Sequence, residues 1–394
     1  MFSNRVKDIR PSPIREVGVR GATIPGFISL ALGSPAAESF PIKELHMITN
    51  QIFEKSAEYA LQYGATAGIS DLVKKIKLRL HEKYNFDIEN NEILVVTGSQ
   101  QGLDIMPRVF CNEGEGVFCD DFTFTGAICA MRTSGARPVG IKTDEHGMMP
   151  SSLLEAIESN PDGKYIYLIP NFHNPTGKTM PLGRRKEIYK IAVENKLFIY
   201  EDDPYGEIRF KGDMLPSFKS FDTENIVVYA GSFSKTLAAG LRVGYIFAGK
   251  NIMEKFIPVK GFIDSQTPAI TQLMVLGFLR DYDYEKHLEF VRGIYGKKCK
   301  VMTEALDSFL HPDVKRTEPE GGMFVWITMP EYVDCDSFFE ELMQMGVGIV
   351  GSHAFATDEK SRGKSFRLNY SANTEENIEA AVKKLGELSY KYCI

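Results

Sequence analysis

Between residues 92 and 250, short runs of apolar and β-branched residues alternate with stretches of helical periodicity. This alternation is typical of a mostly parallel sheet whose strands are joined by crossover helices. Polar or glycine-containing loops follow several of the runs, and ligands of open α/β sheets bind at the carboxyl ends of the strands. Seven strands are predicted, at Ile93–Thr97, Gly116–Cys119, Val139–Lys142, Tyr165–Ile169, Leu197–Tyr200, Ile226–Ala230 and Val243–Ala248.

The two ends of the chain differ from this central part. After about residue 280 a long helical stretch runs to Leu310, and strands are predicted at Met323–Thr328 and Phe366–Tyr370. A terminal helix should follow with Asn373 as its N-cap, because Glu376 stands three residues further on. The first 45 residues, which are rich in proline, are predicted to form an extended arm.

We therefore expect an α/β protein with a large domain and a smaller α+β domain. The predicted parts are an arm over residues 1–45 that also contributes to the small domain, a large domain over 46–280, and the small domain over 281–394. A length of 394 residues fits this division, since one domain typically spans about 100–200 residues.

Composition excludes several other classes. The formal net charge of −6, without a Lys/Arg cluster, disfavours nucleic acid as a partner. No apolar run approaches the roughly 20 residues of a membrane span, and the start lacks a secretory signal, so we expect no membrane association and a cytoplasmic location. The six cysteines and seven histidines show no ligand spacing, which predicts no metal site.

The strongest chemical signal is the segment GSFSKT at residues 231–236, which follows a predicted strand. Lys235 in this segment can attack an aldehyde only if desolvation or nearby cations lower its pKa from about 10.4. Ser232, Ser234 and Arg242 offer the hydroxyls and the guanidinium that suit a dianionic phosphate. Taken alone, however, the segment is more typical of an exposed lysine beside a serine turn.

Other loops supply the remaining groups of a possible site. Ser99 and Gln100 precede a helix whose N-terminus could bind phosphate, although a serine there is more often only an N-cap. Asn174, in the turn NPTG, could donate to a phenolic oxygen. In EDDPY, residues 201–205, an acid could pair with a protonated pyridine nitrogen while Tyr205 reaches a ring hydroxyl.

In this order, the motifs LQYGATAG, GSQQG, NPTG, EDDPYG, SFSK and GLRVGY resemble those of fold-type-I pyridoxal 5′-phosphate (PLP) enzymes. The resemblance is greatest to class I/II aminotransferases of the kynurenine/2-aminoadipate branch, and it extends from PSPIR to SFRLNYS. It implies that Lys235 holds PLP as a Schiff base, that Asp202 pairs with the pyridine nitrogen, and that Asn174 and Tyr205 hold the phenolic oxygen. Asp202 is preferred to Asp203 because the family places this acid three residues before the tyrosine.

The resemblance also implies the rest of the site. Tyr63 would reach the phosphate from the other subunit of a homodimer, and Phe124 would stack on the ring, where relatives often carry tyrosine. Arg367 would pair with the substrate α-carboxylate, Arg15 would approach the substrate side chain, and Gly33 would bring its backbone close to the substrate. The residues implied to bind phosphate are Ser99, Gln100, Ser232, Ser234 and Arg242.

The implied reaction is transamination. An amino acid displaces Lys235, the freed Lys235 moves a proton from Cα to the C4′ carbon of the cofactor, and hydrolysis releases a 2-oxo acid. A second 2-oxo acid, expected to be 2-oxoglutarate, reverses these steps in a ping-pong mechanism. Lys235, Asp202 and Tyr205 are the expected catalytic residues, and Asn174 should contact the substrate as well as the cofactor.

Two other functions compete with this interpretation. A C–S β-lyase on the same fold would need the same lysine and carboxylate. A regulator that only senses ligands would need a DNA-binding module, for which the arm of about 45 residues is too short and too acidic in context.

Overall fold

The structure is a computed structural model that describes residues 4–6, 12–358, 361 and 363–394. Part of the predicted arm, residues 1–3 and 7–11, lies outside the described residues. The centre of the chain forms a seven-stranded sheet. Its strands are β1 Asn91–Val96, β2 Gly116–Asp120, β3 Arg137–Ile141, β4 Tyr165–Leu168, β5 Phe198–Asp202, β6 Val227–Ser232 and β7 Gly244–Gly249.

The sheet has the order β1-β7-β6-β5-β4-β2-β3. Strand β7 is antiparallel to both of its neighbours, and all other pairs are parallel. The predicted mostly parallel, seven-stranded sheet is therefore confirmed. Because β7 alone is reversed, its first residues lie at the same edge as the carboxyl ends of the other strands, where the motif-bearing loops begin.

Helices cover both faces of the sheet. In β1, Leu94 and Val96 face a core shared with the helices Ser99–Phe110 and Lys250–Asp264, whereas Ile93 and Val95 face a core shared with the helices Ser70–Tyr84 and Ala269–Asp281. Burial on both faces explains why the last four residues of this strand are all apolar. The helices are α1 Pro13–Gly21, α2 Ile42–Leu61, α3 Ser70–Tyr84, α4 Ser99–Phe110, α5 Thr125–Thr133, α6 Pro150–Ser159, α7 Leu182–Glu194, α8 Lys250–Asp264, α9 Ala269–Asp281, α10 Tyr284–Phe309, α11 Cys335–Gln344 and α12 Glu375–Tyr392.

A second, antiparallel sheet follows the long helix α10. Its strands lie in the order Lys315–Arg316, Phe324–Thr328, Ser365–Asn369, Val350–Gly351, and side chains of α10, α11 and α12 share its hydrophobic core. This arrangement is the expected α+β part of the fold. The strands are β8 Lys315–Arg316, β9 Phe324–Thr328, β10 Val350–Gly351 and β11 Ser365–Asn369.

The predicted extended arm is wrong over Pro13–Gly21, which forms a helix. Proline is tolerated at the first helical position because its missing N–H has no helical partner there. After this helix, Ile28–Ser29 pairs in parallel with Val347–Gly348, so the arm contacts the C-terminal part of the chain.

The predicted cap of the last helix is also wrong by one residue. Thr374 is the N-cap of α12, and its hydroxyl accepts a hydrogen bond from the Asn377 N–H at 3.3 Å. Asn373 instead donates to the carbonyl oxygen of Ser29 at 2.8 Å, a contact across the chain that local pattern does not encode. Within the described part of the chain, no helix is both long and apolar enough to cross a bilayer.

Candidate active site

Lys235 lies in the short helical turn Ser234–Ala238 that follows β6. Its Nζ donates a hydrogen bond to the carbonyl oxygen of Gly33 at 2.8 Å. Burial, and to a smaller extent the cations Arg367 and Arg242, lower the pKa of Lys235 to about 8. A substantial share of this amine is therefore neutral at mildly basic pH, as a nucleophile toward an aldehyde requires.

Asp202 ends β5 and is buried, with 2% of its surface exposed. Its Oδ2 accepts a hydrogen bond from the Tyr167 hydroxyl at 2.8 Å, whereas its buried Oδ1 has no partner among the described residues. Burial raises the pKa of Asp202 to about 7, Tyr167 opposes this shift, and Asp203 adds to it. A buried oxygen without a donor is costly, so Oδ1 is suited to a ligand N–H.

The neighbouring Asp203 is fully engaged by protein groups. Its Oδ1 accepts from Asn171 Nδ2 and from the N–H of Gly206, both at 3.0 Å. Its Oδ2 accepts from the Tyr229 hydroxyl at 3.0 Å. These bonds hold the loop after β5 in place, and they distinguish Asp203 from Asp202, whose Oδ1 is free.

Arg367, on β11, is buried, with 1% of its surface exposed. Its Nη1 donates to Asn174 Oδ1 and its Nη2 to the carbonyl oxygen of Ala31, each at 2.6 Å. The rings of Phe324 and Phe355 lie 4.2 and 4.7 Å from its Cζ. Burial lowers the pKa of Arg367 to about 10, and its Nε has no partner among the described residues.

Asn174 connects Arg367 to Tyr205. Its Nδ2 donates toward the Tyr205 hydroxyl at 3.5 Å, while its Oδ1 is occupied by Arg367. Burial raises the pKa of Tyr205 above its ordinary value, and Arg367 opposes the shift. The phenol is therefore protonated at neutral pH and can donate a hydrogen bond.

The candidate phosphate-binding residues converge at the N-terminus of α4. Gly98 adopts a φ of +75°, and a Cβ at this position would collide with the guanidinium of Arg242. Arg242 Nη1 donates to Ser234 Oγ at 3.5 Å, and the Ser234 N–H donates to Ser232 Oγ at 3.1 Å. Helix N–H groups that begin at Ser99, a guanidinium and two hydroxyls thus share one place, which suits a dianion.

A cleft of about 1430 Å³ adjoins these groups, and Gln100, Phe124, Leu32 and Arg15 are among the residues that line it. Gln100 Nε2 donates to the carbonyl oxygen of Gly126 at 3.0 Å, and a Cβ at residue 126 would collide with both Gln100 and the Phe124 ring. Arg15 is exposed on α1, and among the described residues no acid pairs with its guanidinium. Lys235 does not line this cleft, which extends from Gln100 and Phe124 to Arg15 near the start of the chain.

Residues 27–385 match the family model of aminotransferases of class I and II. The chain belongs to this family. It is 35% identical over 390 residues to aromatic-amino-acid aminotransferase 1 of Thermococcus litoralis, an alignment that covers 98% of this chain and 93% of the relative.

Two solved aminotransferases are similar along their whole length. The kynurenine aminotransferase of Pyrococcus horikoshii, solved with PMP, has a TM-score of 0.94 and 34% identity, covering 99% of this chain and 97% of that one. The α-aminoadipate aminotransferase of Thermus thermophilus, complexed with N-(5′-phosphopyridoxyl)-L-leucine, has a TM-score of 0.89 and 32% identity, covering 100% and 98%.

The chain is therefore a PLP-dependent aminotransferase of amino acids, as predicted, and the fold-type-I assignment is confirmed. The relatives do not favour the β-lyase alternative. The site of this aminotransferase fits PLP on its own chemistry, since a half-buried lysine with a lowered pKa, an unpartnered carboxylate oxygen and a cluster of hydroxyl, guanidinium and helix N–H donors lie at one edge of the sheet.

Sequence reasoning missed several groups of this aminotransferase's site. Tyr167 belongs to a strand with the sequence YIYL, whose side chains are all buried, so only the distance to Asp202 reveals its role. Phe324 lies on β9, and Phe355 ends the short helical turn Ser352–Phe355. No motif marks either residue, because each contacts Arg367 only once the chain has folded around β11.

Proposed function

We propose that this aminotransferase transfers amino groups from amino acids with either acidic or apolar side chains to 2-oxoglutarate. The observation that carries the proposal is Arg367, which is buried, lacks a carboxylate partner in the described part of the chain, and keeps its Nε free. A guanidinium fork of this kind binds the α-carboxylate that all donors and acceptors share. The range of donors is supported by relatives named for aromatic amino acids, 2-aminoadipate and kynurenine.

Bound PLP withdraws electrons from the substrate Cα when its ring nitrogen is protonated. Asp202 Oδ1 would keep the proton on that nitrogen, which is supported by its burial and its missing partner. Lys235 would hold the cofactor and then accept and return a proton at Cα, which its pKa of about 8 permits. Asn174 and Tyr205 would orient the phenolic oxygen by donating to it.

The phosphate and the ring would be fixed by the remaining residues. Phe124 would stack on the ring from the start of α5, and Gly33 would place its carbonyl oxygen near the reacting carbon, as its contact with Lys235 suggests. A phosphate bound by several preorganised donors anchors the ring while Lys235 is released. The phosphate donors would be Ser99, Gln100, Ser232, Ser234 and Arg242.

We further propose that the enzyme is a homodimer in which Tyr63 completes the partner's phosphate site. In the single chain Tyr63 is 84% exposed, and Phe262, on the neighbouring end of α8, is 94% exposed. The two segments are joined, because Gly64 N–H donates to Gln266 Oε1. Large apolar side chains left this exposed are typical of a surface that a partner covers.

Sedimentation should show a dimer whose concentration-dependent dissociation lowers activity. Tyr63→Phe should remain dimeric but bind PLP about 10–100-fold more weakly, the scale of one hydrogen bond to a charged group. A monomer with full specific activity would contradict the proposal.

Arg15→Ala should weaken glutamate and 2-aminoadipate as donors by roughly 10–100-fold in kcat/KM, the scale of one partly exposed charge-assisted hydrogen bond. Arg15 is exposed, unpaired among the described acids and on the cleft, so it can meet an acidic side chain or turn away from an apolar one. Phenylalanine and leucine should be nearly unaffected. Steady-state kcat/KM with 2-oxoglutarate as acceptor measures both.

A matched control is Arg20→Ala, which removes a cation from the same helix that is paired with Glu340 instead. It should not discriminate between the two kinds of donor. Equal losses for glutamate and phenylalanine in Arg15→Ala would show that Arg15 is structural.

A further inference from the structure

The carboxylate of Asp264 lies behind the phosphate-binding candidates, outside the set of residues that would touch the cofactor. Asp264 is the last residue of α8. Its Oδ2 accepts from Thr97 Oγ1 at 2.8 Å and from Gln101 Nε2 at 2.7 Å. Its Oδ1 accepts from Lys260 Nζ at 2.7 Å. One carboxylate thus receives three hydrogen bonds, two from residues that are distant in sequence and one from its own helix.

The two residues that Asp264 holds enclose the phosphate-binding turn. Thr97 precedes Gly98, and Gln101 follows Gln100, so the segment 98–100 lies between the two bonds. Thr97 and Gln101 are also bonded to each other, because the Thr97 N–H donates to Gln101 Oε1 at 2.8 Å. The carbonyl oxygen of Thr97 accepts from Arg242 Nη2 at 3.4 Å, which ties the cationic part of the cluster to the same residue.

Asp264 is itself firmly held and charged. Lys260 is fully buried, and its ammonium group lies against the carboxylate. Burial alone would raise the pKa of Asp264, but hydrogen bonds from Lys260, Gln101 and Thr97 together lower it below its ordinary value. A carboxylate that stays ionised accepts stronger hydrogen bonds than a neutral group would.

The backbone after Asp264 is strained. Ser265 adopts φ and ψ of 62° and −53°, a conformation that is unfavourable for a residue with a side chain. This turn directs the side chain of Gln266 toward the segment of Tyr63, where it accepts from Gly64 N–H and donates to the carbonyl oxygen of Gln62 at 3.3 Å. Strain of this kind persists only when surrounding contacts fix it, and Asp264 supplies three of them.

We propose that Asp264 is a positioning residue for the cofactor phosphate. By holding Thr97 and Gln101 it fixes the N–H groups of residues 98–100 in the orientation that binds a dianion, so that no reorganisation is needed on binding. The proposal rests on the phosphate-binding role assigned above to the start of α4. It concerns the phosphate alone, because the bonds of Asp264 reach the turn and not the ring site of Asp202 and Tyr205.

The test compares two probes, PLP and pyridoxal, which lacks the phosphate. Each is titrated into apoenzyme, and binding is followed by the visible absorbance of the lysine-bound chromophore. Asp264→Asn should raise the Kd for PLP about 10–100-fold and leave the Kd for pyridoxal unchanged. Equal weakening of both probes, or no change in either, would overturn the proposal.

Asp104→Asn is the matched control. Asp104 lies on α4, pairs with Arg108, and has 27% of its side chain exposed against 25% for Asp264. The variant removes a carboxylate from α4, the helix that begins at the phosphate-binding turn, without touching the turn itself, so both Kd values should stay at the wild-type level. If Asp104→Asn also raised the Kd for PLP but not for pyridoxal, general damage to α4 would explain the results, and the proposal would be wrong.

A milder variant decides the case if Asp264→Asn does not fold. Thr97→Val removes one donor to Asp264 and keeps the buried pair with Lys260, and it should weaken PLP about 3–10-fold relative to pyridoxal. Arg242→Ala tests the phosphate site itself, separately from the positioning role of Asp264. If Arg242→Ala also does not weaken PLP relative to pyridoxal, the phosphate site is misassigned. If Arg242→Ala weakens PLP selectively but the Asp264 and Thr97 variants do not, only the positioning role is overturned.

Discussion

Lys235→Ala should abolish transamination, by more than about 1,000-fold in kcat, while leaving the fold intact. The amine is both the tether of the cofactor and the group that moves a proton at the substrate Cα. Its loss removes one hydrogen bond to Gly33 and one buried group whose charged form burial disfavours, so the stability of the apoenzyme should not fall. Turnover of glutamate with a 2-oxo acid, far-UV circular dichroism and thermal unfolding measure the two effects.

Chemical labelling provides an independent check on Lys235. Borohydride reduction of the PLP-bound enzyme followed by peptide mapping should place the label on Lys235, and the alanine variant should carry none. A label on Lys260 or Lys298, which are also buried, would reject the assignment.

Asp202→Asn should retain PLP but lose catalysis by about 100–10,000-fold in kcat, the scale of a lost acid–base contribution. A neutral amide cannot keep the ring nitrogen protonated, so the cofactor withdraws electrons less strongly. The apoenzyme should be at least as stable as wild type above pH 7, because burial raises the pKa of Asp202 to about 7 and disfavours its ionised form there. Single-turnover rates with glutamate and the absorbance of the bound cofactor separate catalysis from binding.

Asp203→Asn is the matched comparison for Asp202→Asn. Asp203 accepts three hydrogen bonds that hold its loop, so this variant should lower the melting temperature and reduce kcat much less. If Asp203→Asn were the more damaging variant for kcat, the choice between the two acids would be wrong.

The sheet was predictable because most of its strands are buried on both faces. Runs such as ILVV in β1 and VVYA in β6 are continuous apolar segments, and the observed strands begin and end within two residues of the predicted positions. The ends of the chain were less predictable. Ile14 and Val17 of α1 pack against a cluster that contains Trp326 and Val350, and Asn373 donates to the Ser29 carbonyl oxygen; no local pattern reports either contact.

The residues of the candidate site also include some that the sequence predicts and some that it does not. Residues that stand in a motif after a strand, such as Lys235 and Asn174, could be named from sequence because the strand direction brings them to one edge. Tyr167 and Asp264 could not, because each acts on another residue through space, from a strand interior and from the end of a helix. Their signal is a hydrogen bond, which exists only once the fold has formed.

The buried charges of the pocket link the lifetime of this enzyme in the cell to the supply of vitamin B6. Without PLP the folded chain keeps Lys235 and Arg367 desolvated, and neutral pH lies below the folded-state pKa of both, about 8 and about 10, so their charged forms destabilise the fold there. Asp202 adds to this as well, because its raised folded-state pKa costs stability that grows from its ordinary pKa up to about pH 7 and is fully present above it. A ligand that binds only the folded chain raises the free energy of unfolding in proportion to the logarithm of its concentration. Because proteases remove unfolded molecules, cells that are short of the vitamin should hold less of the protein as well as less of its activity.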